Sequence, residues 1–93
     1  MSHAKTYALK DGVQVRREAF GLLFYDYRGP RLYFVPTRDL IEDGFFNGRC
    51  TVAELISHIG CRHDWPIQWI EDRIGQVLTM LENKDLIYGQ SVC

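Results

Sequence analysis

Apolar and polar residues alternate in the first third of the chain and later fall into steps of three and four, so strands precede helices. Val13-Gln14-Val15-Arg16-Arg17 alternates as a half-buried strand does. Phe20 and Gly21 lead into Leu22-Leu23-Phe24-Tyr25-Asp26-Tyr27, rich in residues that suit a pleated surface. Arg28-Gly29-Pro30 is turn chemistry, because Gly tolerates positive φ while Pro presets φ and lacks an N–H. Leu32-Tyr33-Phe34-Val35 reads as a third strand, stopped at Pro36, which cannot donate to a ladder. Such short connections favour an antiparallel meander.

From Thr37 the period changes. Thr37-Arg38-Asp39-Leu40-Ile41-Glu42 predicts a short helix ending near Gly44, with Phe45 and Phe46 returning to the core. Thr51-Val52-Ala53-Glu54 is a capping box that opens a second helix, carried through Ile59 and stopped at Gly60. Asp64, Trp65 and Pro66 open the longest helix, where Pro is tolerated because first-turn N–H groups lack helical partners. Ile67, Ile70, Ile74, Val77 and Leu81 give it one apolar stripe. Asn83-Lys84-Asp85 closes it, and Leu86-Ile87-Tyr88 fits a short wing strand. The expected fold is α+β in a single domain, residues 1–93: a three-stranded antiparallel sheet followed by a three-helix winged helix-turn-helix unit.

Composition fits a folded core: 93 residues, 46% of them hydrophobic, with five Phe, five Tyr and two Trp. A net charge of −1 supplies no strong field for phosphate or anionic lipid. No run approaches the roughly 18 apolar residues of a membrane helix. Met1-Ser2-His3-Ala4-Lys5 lacks the apolar stretch of a signal peptide, so the expectation is a cytoplasmic protein without membrane contact. Cys50, Cys61 and Cys93 are an odd set without framework spacing, which suits reduced thiols.

No catalytic signature joins Ser57 or the cysteines to His3, His58 or His63, so an enzyme is not expected. Cys50, His58, Cys61 and His63 fall close together, yet lack the paired spacing of a zinc site; no metal and no cofactor are expected. Glu71 and Asp72, near the start of the long helix, are explained by the helix dipole. A winged-helix DNA-binding regulator is the alternative function that the helix-turn-helix proportions raise. Against nucleic acid as a partner, residues 66–84 set Glu71, Asp72 and Glu82 against Arg73 and Lys84, so the basic surface that dominates such affinity is missing. A small oligomeric adaptor is a third class.

A peptide is the remaining ligand. Trp69, Arg73, Gln76 and Met80 step by four, three and four, forming a second row beside the apolar stripe. Such a row suits a groove that grips apolar anchors and steadies a polar backbone, although apolar helix stripes are more often core and Trp69 and Met80 taken alone better suit a widened core stripe. The third strand, Leu32 to Val35, is the other wall if it lies at a sheet edge, where unpaired backbone groups template an added strand. An edge guarded by Arg31, Pro30 and Pro36, or one that pairs with a second copy in a homodimer, stands beside that reading.

Val13-Gln14-Val15-Arg16-Arg17-Glu18-Ala19-Phe20-Gly21-Leu22-Leu23-Phe24-Tyr25, followed by Leu32-Tyr33-Phe34, resembles the mycofactocin biosynthesis chaperone family MftB, within the PqqD-like peptide chaperones. The resemblance is sharp over residues 13–35 and architectural beyond them. It implies a protein that binds the leader of a ribosomally made precursor peptide between the third strand and the third helix. It also implies presentation of that peptide to a radical S-adenosylmethionine maturase, which performs the chemistry. Carried onto this chain, the peptide-binding residues are Arg31, Leu32, Tyr33, Phe34 and Val35 on the strand, with Trp69, Arg73, Gln76 and Met80 on the helix. Arg16 and Glu18 read as a same-face charge pair or as a docking feature, and Gly21 as a bulge or close approach.

Overall fold

Two hairpins in immediate succession build the first sheet, as the alternation predicts. The structure, a computed structural model, describes residues 4–37 and 40–91. Its elements are β1 (Lys5–Leu9), β2 (Val13–Glu18), β3 (Gly21–Asp26), β4 (Arg31–Val35), a 3₁₀ turn (Asp43–Phe46), β5 (Asn47–Thr51), α1 (Val52–Arg62), α2 (Ile67–Asn83) and β6 (Ile87–Ser91). The meander is antiparallel in the order β2-β3-β4, with Phe24 opposite Val15 on one side and Tyr33 on the other. Val13, Leu22, Phe24 and Val35 are buried on its inner face. Gly21 marks a close approach, since a Cβ there would run into the Val35 carbonyl oxygen and lie 2.8 Å from the Thr37 nitrogen. A side chain at that position would push the end of β4 away.

The expectation of one sheet followed by a three-helix winged unit is wrong in two respects. A second three-stranded antiparallel sheet, β5-β1-β6, joins segments far apart in the chain. The strand expected at residues 86–88 exists as β6, but it pairs with β1 rather than forming a wing. Second, there are two α-helices among the described residues, not three. Residues 37–42 form no α-helix in the part that is described, and Arg38 and Asp39 lie outside the described residues. The Thr37 carbonyl accepts from the Leu40 and Ile41 amides at 2.9 and 3.2 Å, and its buried hydroxyl donates to the Ile41 carbonyl at 3.2 Å. One turn satisfies these groups, and the chain then enters the 3₁₀ turn because the adjacent Phe45 and Phe46 must both be buried. Without a third helix, the winged helix-turn-helix unit and the DNA-regulator reading built on it lose their support.

Of the two remaining helices α1 follows its start signal, whereas α2 begins at Ile67, after the expected opening at Asp64-Trp65-Pro66, with Pro66 preceding its first turn and no side-chain cap. Thr51 caps α1 as expected: its hydroxyl accepts from the Glu54 amide at 3.1 Å, and Glu54 Oε1 accepts from the Thr51 amide at 3.0 Å. The Thr51 backbone and side-chain hydrogen bonds hold the Glu54 carboxyl below the usual glutamate range. α1 does not stop at Gly60 but continues through Arg62. The buried stripe of α2 is Ile70, Ile74, Leu78 and Leu81. Of the stripe expected there, Ile67 is instead exposed and Val77 only half-buried. These residues meet Leu55, Ile56 and Ile59 of α1 and the inner side chains of the sheets in one core. Phe46 packs edge-on against both Phe24 and Phe45, with ring centroids 5.4 and 5.3 Å apart.

Arg28 ties the turn of the meander to the α2–β6 turn. Its Nε donates to Asp26 Oδ1 at 2.9 Å, and its Nη2 donates to the Asp85 carbonyl at 2.6 Å. Lys10 Nζ also stands 3.2 Å from Asp85 Oδ1. The hydrogen bond from Arg28 keeps the Asp26 carboxyl below the usual aspartate range, and Lys10 does the same for Asp85. Asp85 itself takes the left-handed conformation, φ 60°, at the turn.

Candidate functional site

The strand order leaves β4 at an edge of its sheet, and among the described residues no strand pairs with its outer side. Its side chains divide by parity. Leu32 and Phe34 stand on the outer face, 59% and 52% exposed, opposite Tyr25 and Leu23 of β3. Arg31, Tyr33 and Val35 belong to the inner face, as the register partners of the buried Asp26, Phe24 and Leu22. Val35 is 3% exposed, so its side chain serves the core and only its backbone borders the edge.

The helical row is placed less uniformly. Trp69 is 40% exposed, with the Arg73 guanidinium 5.2 Å from its ring centre. Trp65 meets Trp69 edge-on at 5.2 Å and stacks on His63 at 3.9 Å, where the buried His63 Nε2 has no hydrogen-bond partner. Gln76 is exposed, while Met80 is half-buried against the core. Gln76, Thr79, Met80, Asn83 and Lys84 line a shallow concavity of about 680 Å³. Lys84 Nζ lies 4.6 Å from the centre of the Tyr33 ring, which joins the C-terminal end of α2 to β4. Trp69 sits about 22 Å along the helix from Lys84, at 1.5 Å per residue. The structure thus brings Tyr33 to the Met80 end of the row, with Trp69 and Arg73 at the far end of a long surface.

Sequence reasoning missed Lys84, which read as a helix terminator, and it also missed a larger cavity of about 960 Å³ beside α1. Arg17, Leu22, Leu40, Cys50, His58 and Arg62 are among its lining residues, drawn from segments with no shared pattern. Burial, followed by the nearby Glu54 carboxylate, pushes the Cys50 thiol up. The carboxylates around this cavity are already engaged: Glu18 with Arg16 at 2.6 Å, Glu42 with Arg62 at 3.3 Å, and Glu54 in the α1 cap. Its size exceeds that of the α2 concavity, but β4, one of the meander's two edges, adds a row of unpaired backbone donors and acceptors beside the end of α2. That chemistry, rather than volume, centres the candidate site on β4 and α2.

Cys50, His58, Cys61 and His63 do not converge, and no group of three His, Cys, Asp or Glu among the described residues is placed to hold a metal ion. Cys61 is exposed, and Cys93 and His3 lie outside the described residues. No helix is long and apolar enough to cross a membrane among the described residues.

Comparison with known proteins adds one finding. No curated protein and no solved structure matches the chain. Residues 6–45 match the family described as the peptide chaperone MftB family, a span that holds β2, β3 and β4 and stops before α1. The resemblance read from residues 13–35 is therefore borne out: from Thr6 to Phe45 this chain is similar to the MftB peptide chaperone family.

Proposed function

We propose that the protein binds the leader of a ribosomally made precursor peptide, of the mycofactocin type, and presents it to a radical S-adenosylmethionine maturase. The observation that carries the reading is the open edge of β4 inside the segment that matches a peptide chaperone family. An extended leader adds a fourth strand beside β4, and strand pairing supplies affinity whatever the side chains. Arg31, Leu32, Tyr33, Phe34 and the Val35 backbone form one wall. Met80, Gln76, Arg73 and Trp69 form the other, with Trp69 as an aromatic anchor at its far end. The role is non-enzymatic: the chain holds the substrate while the maturase does the chemistry.

Calorimetric titration with the precursor peptide tests the reading. Saturable one-to-one binding, lost on deleting the leader half, is the expected result. Backbone amide shifts should run along Arg31–Val35. Absence of heat and of any amide shift at high concentration would sink the proposal. Trp69→Ala and Met80→Ala should each weaken binding, by over about 1 kcal/mol for a true anchor. Unchanged affinity in both variants would remove α2 from the site and leave β4.

A further inference from the structure

A strand laid against β4 must alternate as β4 does, so its side chains meet two different environments. On the outer face they meet Leu32 and Phe34, apolar and more than half exposed. On the inner face, between those two positions, the neighbour is Tyr33. Its ring carries the Lys84 ammonium at 4.6 Å, and Arg31 precedes it on the same face of β4.

Two cations therefore flank one inner-face position. The nearest carboxylates are held mainly by other cations: Asp26, which also attracts its register partner Arg31, by Arg28 at 2.9 Å, and Asp85 by Lys10 and Arg28 at 3.2 and 3.1 Å. None of the ion pairs among the described residues takes up Lys84 or Arg31. In a chain whose net charge is −1, this end of the groove is locally positive. A peptide carboxylate held there gains attraction from both cations, whereas a peptide cation is repelled by both.

We infer that the groove selects an apolar–acidic–apolar triplet in an extended peptide. The apolar pair packs on Leu32 and Phe34, and the carboxylate between them meets Lys84 and Arg31 across Tyr33. The inference rests on the strand-addition reading and adds the chemistry of the segment that is held. It also assigns Lys84 a specificity-determining part.

Three capped nine-residue peptides test it by amide chemical-shift titration of the whole chain. The first is Gly-Ser-Thr-Leu-Glu-Val-Thr-Ser-Gly, and the second replaces its Glu with Lys. The third keeps the composition and moves Glu one place, so that the apolar residues become adjacent. The first peptide should bind about fivefold more tightly than the second, the scale of one half-exposed charge contact. It should also bind more tightly than the third. In Lys84→Glu the preference between Glu and Lys should shrink or reverse; Lys84 is exposed, so the fold tolerates the change. Equal binding of all three peptides with shifts along Arg31–Val35 would overturn the pattern and leave the groove standing. A Glu preference unaltered by Lys84→Glu would overturn the assignment to this position. No shift along β4 with any peptide would remove both groove and pattern.

Discussion

The two sheets have the same number of strands and opposite logic. In β2-β3-β4 each strand pairs with its immediate neighbour in sequence, and β4 is left with a free side. In β5-β1-β6 the central strand is the first of the chain, and both partners come from beyond the meander. The first sheet buries its inner face and exposes apolar side chains on the other, at Leu32 and Phe34. The second ties remote segments together, with Thr6 and Tyr7 of β1 and Ile87 of β6 buried. Local pairing leaves an edge available for a ligand, and long-range pairing holds the body that displays it.

The sharpest way to break this division is to remove the ring the meander contributes to the shared core. Phe24→Ala should cost about 3–5 kcal/mol, because Phe24 is fully buried against Phe46. In a urea titration both sheets should melt in one transition. Separate transitions would show that the meander folds independently of the second sheet. Gly21→Ala comes next, at about 1–3 kcal/mol, since the new methyl meets the Val35 carbonyl. Leader affinity should fall with it, as the end of β4 is displaced.

Thr51→Ala probes the other sheet, where β5 runs into α1, and should cost about 1 kcal/mol by thermal melt. Glu54 gives this effect a pH dependence. Its folded pKa is depressed, so its contribution is present above the unfolded value, about 4.3, and fades as pH falls through the folded value. The gap between wild type and Thr51→Ala should therefore narrow in acid, and a gap that stays constant would mean the Glu54 half of the box contributes nothing. Phe34→Ser should have the smallest effect on folding, within about 0.5 kcal/mol, because the side chain is exposed. It should still weaken leader binding. A stability loss approaching that of Phe24→Ala would mean the outer face is packed rather than displayed.

What was legible in the sequence follows the same division. The meander, the capping box and the two helices are set by neighbours in sequence, through alternation, turn residues and three-four spacing. β1 and β5 were not read, because Lys5–Leu9 and Asn47–Thr51 carry no strong alternation and become strands by pairing with each other and, for β1, with β6. The helix expected over residues 37–42 failed where tertiary burial of Phe45 and Phe46 prevailed over local propensity. The strand half of the candidate site was legible for the same reason as the meander. Lys84 was not, since its significance comes from Tyr33, 51 positions earlier in the chain, lying under its ammonium.

The pairing of Leu9 with Ile87 also sets an order of events in folding. Contacts across about eighty residues form slowly, because loop closure must precede their gain, whereas the two hairpins close quickly. During synthesis the meander can take shape while β6 has yet to leave the ribosome, and β1 waits without its partner. For that interval β4, the strand proposed to recognise a peptide, is an unpaired edge on an incomplete body, open to any extended segment nearby. An early-arriving ligand strand would then act as a folding partner, covering the edge before the second sheet has closed.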